Sequence, residues 1–373
     1  MVSFLFFSLL FSFLHFTSSH PSIGITYSAP STTNSTAVPP PPDKIASIIS
    51  ALKITSVRLP DPGPSLIEAF SSTNTSLFLS ISNPLIPTLA SNRSVALGWL
   101  RLHVLPFYPR SKITLISVGN TVLNSTHVED FSPFILPAMR NLHRGLRDNG
   151  IGKIRISTTF AFFSTITTAF PPSSAVFKQS AGDLIIKPIL QFLEQTNSSF
   201  LINLYPYNLF HLNTEIPIGF ALFQDNPFNF RDDFVSGIRY FNLFPMMANA
   251  VLTAMKAMGY ENIPLVVAET GWPSSGSEAE ANGVYAEMYL KGLFRHLKSG
   301  AATPLKKNGL AEVYVYELMD HHGGRNERGG EWGILSENMK MKYDVEFSGG
   351  AKNCGLVAIW FSICLVIASM AFC

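Results

Sequence analysis

Eight short apolar runs recur along this chain, at residues 22–28, 54–60, 76–82, 112–120, 153–160, 200–207, 263–270 and 311–320. Stretches such as Leu265-Val266-Val267-Ala268 and Phe200-Leu201-Ile202 do not alternate with polar residues. A strand with one wet face alternates; a strand covered on both faces has no need to. Helical spacing fills the intervals, at residues 43–52, 65–72, 95–105, 133–149, 183–195, 245–258 and 278–298. Asp43 and Asp183 read as helix N-caps, and Gly150 and Gly259 as C-terminal stops. Eight strands with helices in the intervals predict an α/β fold of one kind: a single (β/α)8 TIM barrel over residues 21–347. One connection departs from the pattern. Residues 208–244 are too long for a simple loop and read as an insertion after strand 6, over the mouth.

Composition supports a large core and narrows the partners. Hydrophobic residues make up 47% of the chain and aromatics 12%. Charged residues reach only 14%, against about 25% in an average domain, partly because both ends are nearly uncharged. A formal net charge of +2 points to no nucleic acid and no acidic polymer. The one basic pair that stands out, Lys306-Lys307, reads as a solvated loop.

The two ends read as address signals. Residues 1–20 carry no charge and are dominated by Phe and Leu, the pattern of a secretory signal peptide. A buried N-terminal helix competes with that reading, but the run lacks a polar face. Residues 354–373 are again uncharged, and small residues Ser348, Gly349, Gly350 and Ala351 precede them. Residues 348–373 therefore read as a glycosylphosphatidylinositol (GPI) attachment signal, with Ser348 and Gly349 at the lipid-anchor site. A retained C-terminal membrane helix is the alternative, since about 20 apolar residues cross a bilayer. Either places the barrel outside the cell, at the outer face of the plasma membrane or in the cell wall. All three cysteines, Cys354, Cys364 and Cys373, lie in that tail. Its removal would leave no disulfide and no sulfur for a metal. No cofactor or metal is expected, and the mature protein is expected to be a monomer. Asn34, Asn74, Asn92, Asn124 and Asn197 each begin an Asn-x-Ser/Thr glycosylation site.

The seventh run carries the chemistry. It drives into Glu269-Thr270-Gly271-Trp272-Pro273-Ser274, delivering one carboxylate to the strand's C-terminal end, where barrel enzymes keep their reactive groups. The fourth run ends Val118-Gly119-Asn120-Thr121. Both elements, with Ile23-Gly24-Ile25-Thr26-Tyr27, Asn203-Leu204-Tyr205-Pro206-Tyr207 and Trp332-Gly333-Ile334-Leu335, resemble the plant β-1,3-glucanases of glycoside hydrolase family 17. The resemblance implies a retaining glycosidase in which Glu269 is the nucleophile. It implies that Asn120 hydrogen-bonds the sugar at the scissile bond and that Tyr205 orients Glu269. Trp272, Tyr27 and Tyr207 would line the cleft as stacking faces for glucose rings, with β-1,3-glucan as the polymer bound. Without the motif, such aromatics would read as core packing and Glu269 as a surface carboxylate.

The departures from that family are equally specific. The family has glutamate, its proton donor, where this chain has Thr121. A retaining enzyme needs its two carboxyls about 5–5.5 Å apart, and loss of a placed general acid costs typically 10²–10⁴-fold in rate. After the eighth run the family shows an acidic residue and a closely following lysine. Here His321 takes the acidic place in Asp320-His321-His322, with no lysine close behind. After the second run, Pro60-Asp61 stands for the family's Tyr-Asp. A relocated acid would have to come from His321, His322, Asp320 or Glu317, since Glu129 and Asp130 fall on the helix side of their loop. His321 and His322 make a poor metal pair, because neighbours on a strand point to opposite faces. Two functions stay open: a callose-like β-1,3-glucan hydrolase with a lost or relocated acid, or a silent β-1,3-glucan-binding lectin or scaffold of the wall.

Overall fold

The structure, a computed structural model, describes residues 21–29, 39–123, 130–300, 303–305, 309–320 and 329–347. Eight parallel strands close on themselves: β1 (Ser22–Thr26), β2 (Ser56–Leu59), β3 (Ser76–Ile81), β4 (Lys112–Asn120), β5 (Arg155–Ala161), β6 (Phe200–Asn203), β9 (Leu265–Thr270) and β10 (Leu310–Val315). Helices α1 (Pro42–Ala51), α2 (Pro64–Ala69), α3 (Ile86–Ser91), α4 (Arg93–His103), α5 (Ser132–Asp148), α6 (Phe162–Thr165) and α7 (Lys187–Gln195) carry the chain from β1 to β6. The insertion then contributes α8 (Pro206–Leu212), α9 (Ile218–Ala221) and an antiparallel hairpin, β7 (Arg231–Asp233) with β8 (Ile238–Tyr240). α10 (Leu243–Ala257) and α11 (Gly283–Lys298) complete the outer layer. The (β/α)8 barrel and the insertion after its sixth strand are thus as the sequence predicts.

Several boundaries differ, each for a local reason. The sixth strand stops at Asn203 rather than Tyr207, because Pro206 has no N–H to give a ladder and instead opens α8. Tyr205 and Tyr207 therefore stand just past the strand. Asp43 is not an N-cap: Pro42 starts the helix one position earlier, and Asp43 sits in its first turn. Asp183 likewise lies inside a π-helical turn, Gly182–Ile186, that leads into α7. The side chains that do cap are Asn92, which accepts from the Ser94 N–H at 2.9 Å, and Asn282, which accepts from the Tyr285 N–H at 2.9 Å. Gly150 and Gly259 end their helices as expected, with φ of 72° and 85°.

The barrel interior is filled, not hollow. Phe78, Leu115, Leu201, Val266, Ala268 and Tyr314 form a buried cluster from five strands. Below it Arg155 pairs with Glu312 at 2.6 Å, and the Tyr314 hydroxyl donates to the same carboxylate at 2.6 Å. Tyr314 fits only because Gly24 faces it. A Cβ there would meet the Tyr314 ring at 2.6 Å and the Ser56 carbonyl oxygen at 2.8 Å. Gly24→Ala is expected to cost about 1–3 kcal/mol through overpacking. Urea unfolding measures it, and an unchanged midpoint would mean that the interior layer yields.

Candidate active site

Glu269 owes its orientation to a bulge. Inward residues on β9 should follow a two-residue period, Val266 then Ala268, which turns the next residue toward the helices. Opposite β6, however, Val267 pairs with Ile202 and Glu269 with Asn203, so β9 holds one extra residue. Against β10 the same shift recurs, from Val267–Val313 to Thr270–Val315. Glu269 consequently faces the mouth, while the Thr270 hydroxyl meets the Tyr289 hydroxyl of α11 at 2.6 Å. The β4 strand repeats the device. Ser117 pairs with Ser157 and Asn120 with Thr159, again one residue in excess. Bulges beside active sites re-aim side chains in this way.

Three donors converge on the Glu269 carboxylate, which is 1% exposed. Arg58 of β2 pairs through Nη1 with Oε1. Asn120 donates from Nδ2 to Oε1 at 3.1 Å, and the Tyr205 hydroxyl donates to Oε2 at 2.9 Å. Hydrogen bonds and a cation at this range favour the charged form of a carboxylate. A row of amides sets the direction of the Asn120 bond. Asn203 Nδ2 donates to Asn120 Oδ1 at 2.9 Å, which leaves Asn120 Nδ2 for Glu269. Asn83 holds the Asn120 backbone at both ends, donating to its carbonyl and accepting from its N–H, each at 2.9 Å.

Thr121 follows directly, at φ 50°, a region that a β-branched side chain enters at a cost. It is half-buried and carries no carboxylate beside Glu269. Two of the expected cleft aromatics sit deeper than a stacking platform requires. Trp272 is 2% exposed, donating from Nε1 to the Glu280 carbonyl at 2.8 Å, and Tyr27 is 3% exposed. Burial pushes the Tyr27 hydroxyl up to about 12. Tyr207 is partly exposed and stands edge-on to Trp272 and Trp332, with centroids 5.1 and 5.7 Å away. Packing inside the wall, not an open face, accounts for Trp272 and Tyr27.

Sequence reasoning passed over Arg58, Asn83 and Asn203. Arg58 had a signal: a lone cation inside the apolar run Val57-Arg58-Leu59. A buried charge needs a partner, and Glu269 was the rim carboxylate that the seventh run delivered. Arg58 also lies over the Phe78 ring, 5.3 Å from its centroid. Among the described residues its Nε and Nη2 nevertheless find no partner, nor do Thr26 Oγ1, Ser80 Oγ and Asn203 Oδ1. Each such group costs about 1–3 kcal/mol if left unpaired.

The rim after β10 is organised differently from expectation. A lysine does reach it, from 22 residues along the chain: Lys342 Nζ donates to Asp320 Oδ2 at 2.7 Å. The Gly333 N–H donates to Asp320 Oδ1 at 2.8 Å. Glu317 is buried, its N–H bonded to the Trp332 carbonyl at 3.1 Å. His321, His322 and Glu129 lie outside the described residues, as do Asn34, Asn124, Ser348 and Gly349. Asp130 is exposed and accepts from the Ser132 N–H at 2.9 Å, and Asn74, Asn92 and Asn197 are exposed. Burial raises the Asp320 carboxyl above its ordinary value, and Lys342 and the Gly333 N–H only partly offset it. A carboxyl with a raised native pKa stabilises the fold fully below the unfolded value and loses that contribution as pH rises through the native one. The stability of the natural protein relative to Asp320→Asn is therefore expected to fall as pH rises from the ordinary carboxylate range upward. Denaturant midpoints at matched pH read this; a rising difference would give Lys342 the upper hand.

A parallel barrel that grips one buried carboxylate at its C-terminal mouth is a layout suited to glycoside hydrolysis. The sequence pattern of glycosyl hydrolases family 17 matches residues 28–347, and the chain belongs to that family. It is 36% identical over 347 residues to glucan endo-1,3-beta-glucosidase 7 of Arabidopsis thaliana, covering 90% of this chain and 66% of that protein. To the glucan endo-1,3-beta-D-glucosidase of Olea europaea it is 35% identical over 314 residues, 82% of this chain and 67% of that one. Of glucan endo-1,3-beta-glucosidase 12 of Arabidopsis thaliana it covers 58%, so the chain spans about two thirds or less of such relatives. Among solved structures, a β-1,3-glucanase and allergen of Cryptomeria japonica pollen superposes with a TM-score of 0.81 at 31% identity, over 88% of this chain and 100% of that one. A plant β-glucan endohydrolase superposes with a TM-score of 0.76 at 27% identity, over 87% and 99%.

Proposed function

We propose that this chain is an extracellular β-1,3-glucan hydrolase of the retaining type whose general acid has been lost at Thr121. The observation that carries the reading is Glu269, held by Arg58, Asn120 and Tyr205 at the barrel mouth. The relatives' names, glucan endo-1,3-beta-glucosidases, support the polymer. In the first step a Glu269 oxygen bonds to the anomeric carbon while the glycosidic C–O bond breaks. With threonine at the acid's position the leaving oxygen departs as its anion, which is slow for a sugar alkoxide and fast for an aryloxide. Water then releases the sugar from Glu269. A second reading follows from the same threonine: a silent barrel that binds β-1,3-glucan as a lectin or scaffold.

An aryl β-glucoside or an aryl laminari-oligosaccharide, with azide as external nucleophile, separates the two. The hydrolase reading expects a glycosyl azide of retained configuration, with formation abolished in Glu269→Gln. Tight oligosaccharide binding without any such product would leave the lectin standing. The location rests on the two end segments. Residues 1–20 support export, and residues 348–373 support a lipid anchor or a membrane helix at the outer face of the plasma membrane. Release from cells by a phosphatidylinositol-specific phospholipase checks the lipid. Glycans at the Asn-x-Ser/Thr sites belong to the same proposal, and the Asn92 cap uses Oδ1, leaving Nδ2 for the sugar bond.

A further inference from the structure

The barrel interior beneath Glu269 offers more hydrogen bonds than its own residues take up. Arg58 gives Nη1 to Glu269, but among the described residues its Nε and Nη2 have no partner, and neither do Thr26 Oγ1 and Ser80 Oγ. All three residues are buried. Their placement brings them to one level of the barrel. Thr26 and Arg58 are register partners on β1 and β2, and Arg58 is in turn the partner of Phe78 on β3. Ser80 is two residues past Phe78, so it shares the inward face and stands one step nearer the mouth. The guanidinium lies over the Phe78 ring, 5.3 Å from its centroid. Three neighbouring strands thus bring two hydroxyls and two N–H groups to adjoining levels of the barrel interior.

Buried polar groups are seldom left unpaired, and four of the eight such atoms among the described residues belong to Thr26, Arg58 and Ser80 on three adjacent strands. Water is the partner that fits. It is small, both donates and accepts, and makes about three hydrogen bonds when buried. A small anion fits worse, because the positive charge of Arg58 is already met by Glu269. We infer that ordered water binds between Thr26, Arg58 and Ser80. Thr26 and Ser80 are then positioning residues: they hold the water, the water holds the free edge of Arg58, and Arg58 holds Glu269. The site itself is independent of what the barrel does; only its effect on Glu269 rests on the nucleophile reading above.

A high-resolution crystal structure of the natural protein tests the site. The expected result is water within hydrogen-bond distance of Arg58 Nε or Nη2 and of both hydroxyls. Protein atoms in that place, or a dry contact, would overturn it. Thr26→Val keeps the volume and removes the hydroxyl, whereas Thr26→Ser keeps the hydroxyl. Covalent labelling of Glu269 by a deoxyfluoro glucoside with a dinitrophenolate leaving group is expected to slow roughly five- to tenfold in Thr26→Val and to stay near the natural rate in Thr26→Ser. Equal rates in Thr26→Val and the natural protein, or an equal loss in Thr26→Ser, would overturn the positioning role. Should the natural protein resist labelling altogether, the nucleophile reading fails. Crystal structures of the natural protein and of Thr26→Val then decide alone: water lost in Thr26→Val upholds the site, and water unchanged there refutes it.

Discussion

Arg58→Leu is expected to lower the unfolding free energy by about 3–5 kcal/mol, the range for removing one partner of a buried ion pair. The Arg58 side chain is 0% exposed and that of Glu269 2%, so neither charge has recourse to bulk water. Leucine takes the cation from the Glu269 carboxylate, while Asn120 and Tyr205, both neutral, still donate to it. Surface pairs such as Arg93 with Asp148 behave otherwise, because solvent replaces the lost partner and the median effect is about 0–1 kcal/mol. Urea unfolding of the single variants and of Arg58→Leu with Glu269→Gln makes the comparison. The double variant should recover much of the loss, because the uncompensated charge is gone. A loss under about 1 kcal/mol in Arg58→Leu would show that the barrel admits solvent to this pair.

Thr121→Glu is expected to raise hydrolysis of natural β-1,3-glucan by roughly 10²–10⁴-fold, the usual contribution of a placed general acid. The gain should be largest for unactivated glucan and small for aryl glycosides, whose leaving groups need no proton. Backbone conformation favours the replacement. At φ 50° an unbranched glutamate is easier to accommodate than threonine. The amides that hold Asn120, its immediate neighbour, would fix the new side chain's origin. Hydrolysis of laminarin read by reducing-end release makes the test. An inert Thr121→Glu protein that still folds would mean that the cleft has changed beyond this one position, and would favour the lectin.

How far the sequence reveals this molecule depends on the distance over which each signal acts. The barrel was legible because burial on both faces imprints eight apolar runs. Glu269 and Asn120 were legible because each ends such a run. Their bulges were not, since an extra residue in a strand appears only when the neighbouring strand supplies the register. Arg58 was half legible: the anomaly of a cation in an apolar run is local, but its partner lies 211 positions away. The amide row of Asn83, Asn120 and Asn203 joins three strand ends with no sequence relation. Trp272 and Tyr27 misled for a different reason. A motif says that an aromatic is present at the rim, and only packing decides whether it turns inward. Lys342 reaching Asp320 was hidden by its remoteness along the chain.

The bulges in β4 and β9 carry an evolutionary corollary. Because the surplus residue lies within each strand, the side chains beneath keep their layers whatever the next position bears. A point substitution at the opening can therefore exchange one functional group for another without displacing the layers below. On the proposed reading of Thr121, its backbone cost at φ 50° is borne at the rim alone, and a single further substitution there would restore an acid.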